Sequence, residues 1–147
     1  PSIDFLVKVL GYQVVGRSGN RARTAADGDV PGHFIDVVED NNARTAVNGL
    51  GTVHHVAMAI GSDEEQIALR EALAKTGVAV TEIRDRTYFR WIYFREPGGV
   101  LFEVATVQPG FTFDEELSEL GRDLKLPDWE EEHRSAIELT LAPIVYH

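Results

Sequence analysis

The chain has 147 residues, room for one or two small domains, with 24 acidic residues against 14 Lys plus Arg and a formal charge of −10. That balance argues against a nucleic-acid or anionic-membrane partner, because a phosphate surface needs a basic face to neutralise it. Cysteine is absent, which excludes disulfides, thiolate metal sites and cysteine nucleophiles.

No stretch approaches the run of about 18 apolar residues a spanning helix needs, and no basic leader precedes an apolar stretch, so a cytoplasmic α/β protein is expected. The acid is uneven. Residues 1–108 hold 14 acidic and 11 basic side chains, while residues 109–147 hold 10 and 3. The excess negative charge therefore belongs to the C-terminal stretch.

Residues 2–10 place Phe5, Leu6, Val9 and Leu10 on a helical stripe that Gly11 stops. Strands are expected at Tyr12–Arg17, Arg21–Ala26 and His33–Glu39, separated by turn-forming clusters. A polar loop through Asn48 and Gly49 leads to a strand at Thr52–Ile60. Ser62 and Glu65 form a capping box for a helix that Gly77 ends, and strands follow at Ala79–Arg84, Tyr88–Arg95 and Gly99–Thr106.

The second stretch thus reads β-α-β-β-β, and the first repeats it without its opening strand. Pro31-Gly32 before Asp36 parallels Pro97-Gly98 before Glu103, at offsets of 66 and 67 residues. The expected fold is α+β, built from paired β-α-β-β-β modules. Residues 1–48 form a partial module, residues 49–108 a complete one, and residues 109–147 an acidic helical tail packed on both. In the tail, Thr112 with Glu115 and Asp128 with Glu131 are capping boxes for helices running to about Leu120 and Leu139.

Two ionisable residues sit on small or apolar strand faces. Alternation puts His55 with Val53, Ala57 and Ala59, and puts Glu103 with Leu101 and Ala105, while His54 points to the opposite face from His55. One histidine and one carboxylate match two arms of the two-His, one-carboxylate facial triad of non-haem iron. On pattern alone the plainer reading prevails: His55 as a satisfied core histidine, and Glu103 paired with Arg86 or Arg95.

The blocks GTVHHVAMAI, DRTYFRWIYFREPGGVLFEVATVQPGF and the FDEELSELGRDLKLP tail resemble the vicinal-oxygen-chelate superfamily. More narrowly, they are similar to its ring-cleaving dioxygenases of hydroquinones, chlorinated ones included. The resemblance implies His55 and Glu103 as metal ligands for Fe(II) or Mn(II), with His54, Arg86 and Tyr93 among the active-site groups. Arg86 in a loop salt bridge with Asp85 or Glu82, and Tyr93 as a core aromatic beside Phe89 and Trp91, stay open as alternatives.

The family's third metal ligand is a histidine on a module this chain does not contain. His33 lies at a Pro-Gly turn, and Asp36 occupies the Glu103 slot without a partner histidine. A chain opening mid-module at Pro1 reads as the C-terminal part of an extradiol-type dioxygenase, inactive as a fragment. A small aromatic substrate and dioxygen are the implied partners, and a second copy of the chain is expected to cover exposed edges as a homodimer. A glyoxalase-like lyase or isomerase, or a non-catalytic ligand-binding module of the same fold, are the competing functions.

Overall fold

The computed structural model describes residues 1–143 except 29, 45, 46 and 48. Asn48 of the expected loop and the last four residues of the expected tail lie outside the described residues. The described residues form two sheets and three α-helices. Helix α1 (Ser2–Lys8) precedes an antiparallel sheet of β1 (Gln13–Ser18), β2 (Arg21–Ala25) and β3 (Phe34–Val38), in that spatial order.

The second sheet holds β4 (Val56–Ile60), β5 (Arg84–Asp85), β6 (Arg90–Arg95) and β7 (Leu101–Thr106), ordered β4-β7-β6-β5. Helix α2 (Asp63–Lys75) is the crossover that lets β4 and β7 run parallel; the other pairings are antiparallel. Among the described residues β3 pairs only with β2, whereas its counterpart β7 lies between two strands. No helix of the described residues is long and apolar enough to cross a membrane.

The local reasons are visible in the caps. The Glu65 N–H donates to Ser62 Oγ at 3.2 Å, and the Glu65 carboxylate reaches back to the Gly61 N–H at 3.0 Å. Gly77, at φ 81°, takes the left-handed step that ends α2. The core is one cluster shared by both halves: Phe5, Leu6 and Tyr12 meet Leu73, Ile92, Phe94, Phe102 and Val104. Alternation on β6 and β7 sends those last four toward the helices, so Trp91, Tyr93, Glu103 and Ala105 take the other face.

Several expected elements are corrected. The strand expected at Thr52–Ile60 begins only at Val56, because Thr52 closes a turn with Gly49: its N–H and hydroxyl both donate to the Gly49 carbonyl, at 3.2 and 2.7 Å. The strand expected at Ala79–Arg84 shrinks to a Val80–Phe94 bridge and the two-residue β5. There the Thr81 hydroxyl accepts the Tyr93 N–H at 2.9 Å, a side chain standing in for a ladder carbonyl. The strand expected from Tyr88 starts at Arg90, since residues 85–89 form a turn closed by Arg86 N–H to Phe89 O at 2.9 Å.

The tail departs furthest. The helix expected to Leu120 is a three-residue 3₁₀ turn at Phe111–Phe113, and the second is a 3₁₀ segment at Asp128–His133 followed by α3 (Arg134–Thr140). Neither capping box forms its side-chain bond. Of the apolar stripe expected along these helices (Phe113, Leu117 and Leu120; Trp129, Ile137 and Leu141), Phe113, Leu117 and Trp129 are 61–77% exposed and Ile137 alone is half-buried, so little packs against it. A short acidic helix without such packing is marginal in water.

Candidate functional site

The second sheet's open face is a grid fixed by register. In one row Ala57 lies beside Glu103, which lies beside Tyr93; in the next Ala59 lies beside Ala105, then Trp91, then Arg84. Cross-strand partners share a face, so Glu103 is ringed by small or aromatic neighbours. It is only 6% exposed. A carboxylate that deep must be paired.

His55 provides a partner. Its Nε2 lies 3.2 Å from Glu103 Oε2, and the imidazole ring stands 5.4 Å from the Tyr93 ring in an edge arrangement. Arg95 donates instead to the Gly99 carbonyl at 2.8 Å, so the expected alternative of an Arg95–Glu103 pair is not formed. Arg86 likewise makes no ion pair with Asp85, Glu82 or Glu103; its guanidinium carbon stands 5.6 Å above the Trp91 ring.

The expectation that His54 and His55 face opposite ways is overturned. Both precede β4, so strand alternation does not govern them. Their Nδ1 atoms are 2.8 Å apart, and His54 also meets Tyr93 at 6.1 Å between ring centres. One of the two Nδ1 atoms must carry the shared proton. His54, His55, Tyr93 and Glu103 therefore form one cluster. Tyr93 packs on Trp91 at 4.4 Å, which links the cluster to Arg86.

Burial and the neighbouring Glu103 carboxylate push the Tyr93 hydroxyl up to about 12, with Arg86 opposing weakly. Tyr93 is thus a proton donor throughout the neutral range. Below the grid, Ala57, Ala59, Ala105, Phe89 and Phe111 line a cavity of about 470 Å³ that reaches Glu103. Among the described residues no third His, Cys, Asp or Glu joins this pair as a metal-binding group.

The equivalent position on the first sheet has a different chemistry. Asp36 accepts from Arg23 Nε at 2.8 Å, Arg23 Nη2 at 3.0 Å and Arg21 Nη1 at 2.9 Å. Those guanidinium groups hold its carboxyl far below the usual carboxylate range. His33, at the Pro-Gly turn, bonds the Asp27 carbonyl at 2.6 Å and lies apart from Asp36's partners. What the sequence reading missed is the Tyr88 turn with Phe111. Tyr88 and Phe111 stack at 5.2 Å, and although Phe111 directly follows Pro109-Gly110, nothing in the sequence links it to the distant Tyr88.

Comparison with known proteins identifies the family. A Bacillus subtilis protein named as a ring-cleaving dioxygenase, MhqO, is 42% identical over 140 residues, covering 95% of this chain and 44% of the relative. The chlorohydroquinone/hydroquinone 1,2-dioxygenase of Sphingobium indicum is 40% identical over 128 residues, 84% of this chain and 39% of that protein. A crystal structure of a Bacillus subtilis protein named as a dioxygenase superposes with a TM-score of 0.91 at 41% identity, over 97% of this chain and 46% of that one. The chain spans less than half the length of these relatives. Residues 1–104 match the family model of the Glyoxalase/Bleomycin resistance protein/Dioxygenase superfamily, and the chain belongs to that superfamily.

Proposed function

We propose that this chain supplies part of the active site of a metal-dependent, ring-cleaving dioxygenase acting on hydroquinones. The carrying observation is the His55–Glu103 pair, a ring nitrogen and a nearly buried carboxylate oxygen 3.2 Å apart with no guanidinium on the carboxylate. One cation can touch both atoms, and mixed nitrogen and oxygen donors suit Fe(II) or Mn(II). The two residues fit part of such a ligand set; a third protein donor would come from outside the described residues. Held there, the metal supplies electron transfer to dioxygen and Lewis acidity toward a phenolic oxygen.

The remaining work falls to this chain's own side chains. For His55 Nε2 to offer its lone pair, His55 must carry its proton on Nδ1 and donate it to His54 Nδ1, 2.8 Å away. His54 then keeps a proton on Nε2, available to a phenolic oxygen of the bound ring. Tyr93, protonated at neutral pH, donates toward Glu103 and orients the carboxylate. Arg86, without an ion-pair partner among the described residues, draws an anionic phenolate over Trp91. A second copy of the chain is the partner we propose for its exposed apolar surface.

Mn(II) binding followed by electron paramagnetic resonance tests the ligand assignment on the chain itself. Glu103→Gln and His55→Ala should each weaken it by about tenfold or more. Oxygen uptake with hydroquinone, measured after anaerobic loading with Fe(II), tests the reaction in a polypeptide that also supplies the third donor. An absence of both metal binding and oxygen uptake overturns the reading. Because the third donor is external, the 147 residues alone should turn over far more slowly than such a polypeptide.

A further inference from the structure

The cavity below Glu103 has one polar end. Ala57, Ala59 and Ala105 give it a floor of methyl groups, one strand spacing (~4.8 Å) wide, with nothing on that floor to hydrogen-bond a ligand. A polar molecule lying there would leave its groups unpaired, at a cost in affinity; a flat ring with its oxygens at the Glu103 edge would not. Phe89 and Phe111 also line the cavity.

Phe111 belongs to the tail, outside the residues 1–104 that match the superfamily. The wall it makes is therefore an addition to the shared sheet, and it is anchored at several points. The Gly110 N–H donates to the Tyr88 carbonyl at 2.8 Å, and the Tyr88 hydroxyl donates to the Asp114 carboxylate at 3.0 Å. The Tyr88 and Phe111 rings stack at 5.2 Å, and Phe89 meets Phe111 at 6.2 Å. Phe111 nevertheless stays 56% exposed, so part of its ring is free to meet a ligand.

We propose that the C-terminal tail serves to build this wall, and that Phe111 is a specificity-determining residue for the ring edge opposite the oxygens. The cavity takes a monocyclic phenol whose outer substituent is apolar, such as a halogen or methyl group, packed against Phe111. The inference rests on the ring-cleaving reading for its choice of ligand, but not on turnover.

Hydroquinone and chlorohydroquinone, titrated anaerobically into the chain with ¹³C-labelled alanine methyls, are the probes. Both should shift the Ala59 and Ala105 methyls, with chlorohydroquinone binding more tightly. Phe111→Ala should reduce that preference by about fivefold or more while changing hydroquinone affinity by less than about twofold. Ala105→Leu fills the floor and should weaken both ligands by about tenfold or more.

A preference unchanged in Phe111→Ala, or undiminished binding in Ala105→Leu, overturns the proposal. If Mn(II) binds the chain but neither phenol shifts the methyls, the wall fails and the metal assignment stands. If the phenols bind with a Phe111-dependent preference and Mn(II) does not bind, the wall stands and the metal assignment fails.

Discussion

Glu103 and Asp36 occupy equivalent places in a repeated unit, and their neighbours decide what each can do. Glu103 faces an imidazole and a phenol; Asp36 faces two guanidinium groups that already neutralise it. Asp36 is thereby a stability residue, and its sign can be worked out. Its folded carboxyl titrates well below an ordinary aspartate, so the ionised form favours the native state. The contribution is complete above the ordinary carboxylate range and is lost as pH falls through it toward the lower folded value. Asp36→Asn should therefore unfold at lower urea than the parent at pH 7, with the gap narrowing steadily below about pH 4. Equal midpoints at pH 7, or a gap that widens in acid, would refute this role. The same substitution should leave Mn(II) binding at His55 and Glu103 unchanged.

At the scale of elements, Gln66 joins α2 to the sheet. It is fully buried, and its amide nitrogen donates to the carbonyls of Arg90 and Val104 at 3.0 and 2.9 Å. Gln66→Ala strands two strand carbonyls and opens a void, which should cost about 2–4 kcal/mol in urea unfolding. A loss within about 0.5 kcal/mol would show that water or a shifted side chain replaces it. This link was not legible in the sequence, where Gln66 reads as a polar residue one place after the capping box. The helix itself was legible, because Ser62, Glu65 and Gly77 mark its ends by local chemistry alone. The meeting of His55 and Glu103 was half legible: Glu103 follows strand alternation, but His55 reaches it from the segment ahead of β4. The convergence of His54 depends on that same departure from the strand, set by the Thr52–Gly49 turn, which periodicity does not encode. In the tail the second expected helix is helical over Asp128–Thr140, but the first, from Thr112, was misread, because a capping box and an apolar stripe specify a helix only when something packs against the stripe.

For the whole molecule, the question is what covers the apolar surface that the described fold leaves open. Phe113, Leu117, Trp129 and Leu139 are all more than half exposed, and β3 offers an unpaired edge among the described residues. The chain also spans less than half the length of its relatives, so a longer polypeptide could provide cover from within. For the chain by itself, a second copy is the available partner. Charge sets the condition for that contact. Residues 109–147 carry 10 acidic and 3 basic side chains, so two tails brought together repel one another. Association driven by apolar burial against such repulsion should strengthen with added salt, because screening removes the opposing term and leaves the hydrophobic one. Sedimentation velocity should show the 147-residue chain shifting from monomer to dimer as concentration rises, with a tighter dimer at about 0.5 M than at 0.05 M sodium chloride. Phe113→Ser combined with Leu117→Ser should return it toward monomer at both salts. A dimer that weakens with salt would place the contact on ion pairs instead. One indifferent to the double substitution would move it away from the tail, to the open edge of β3.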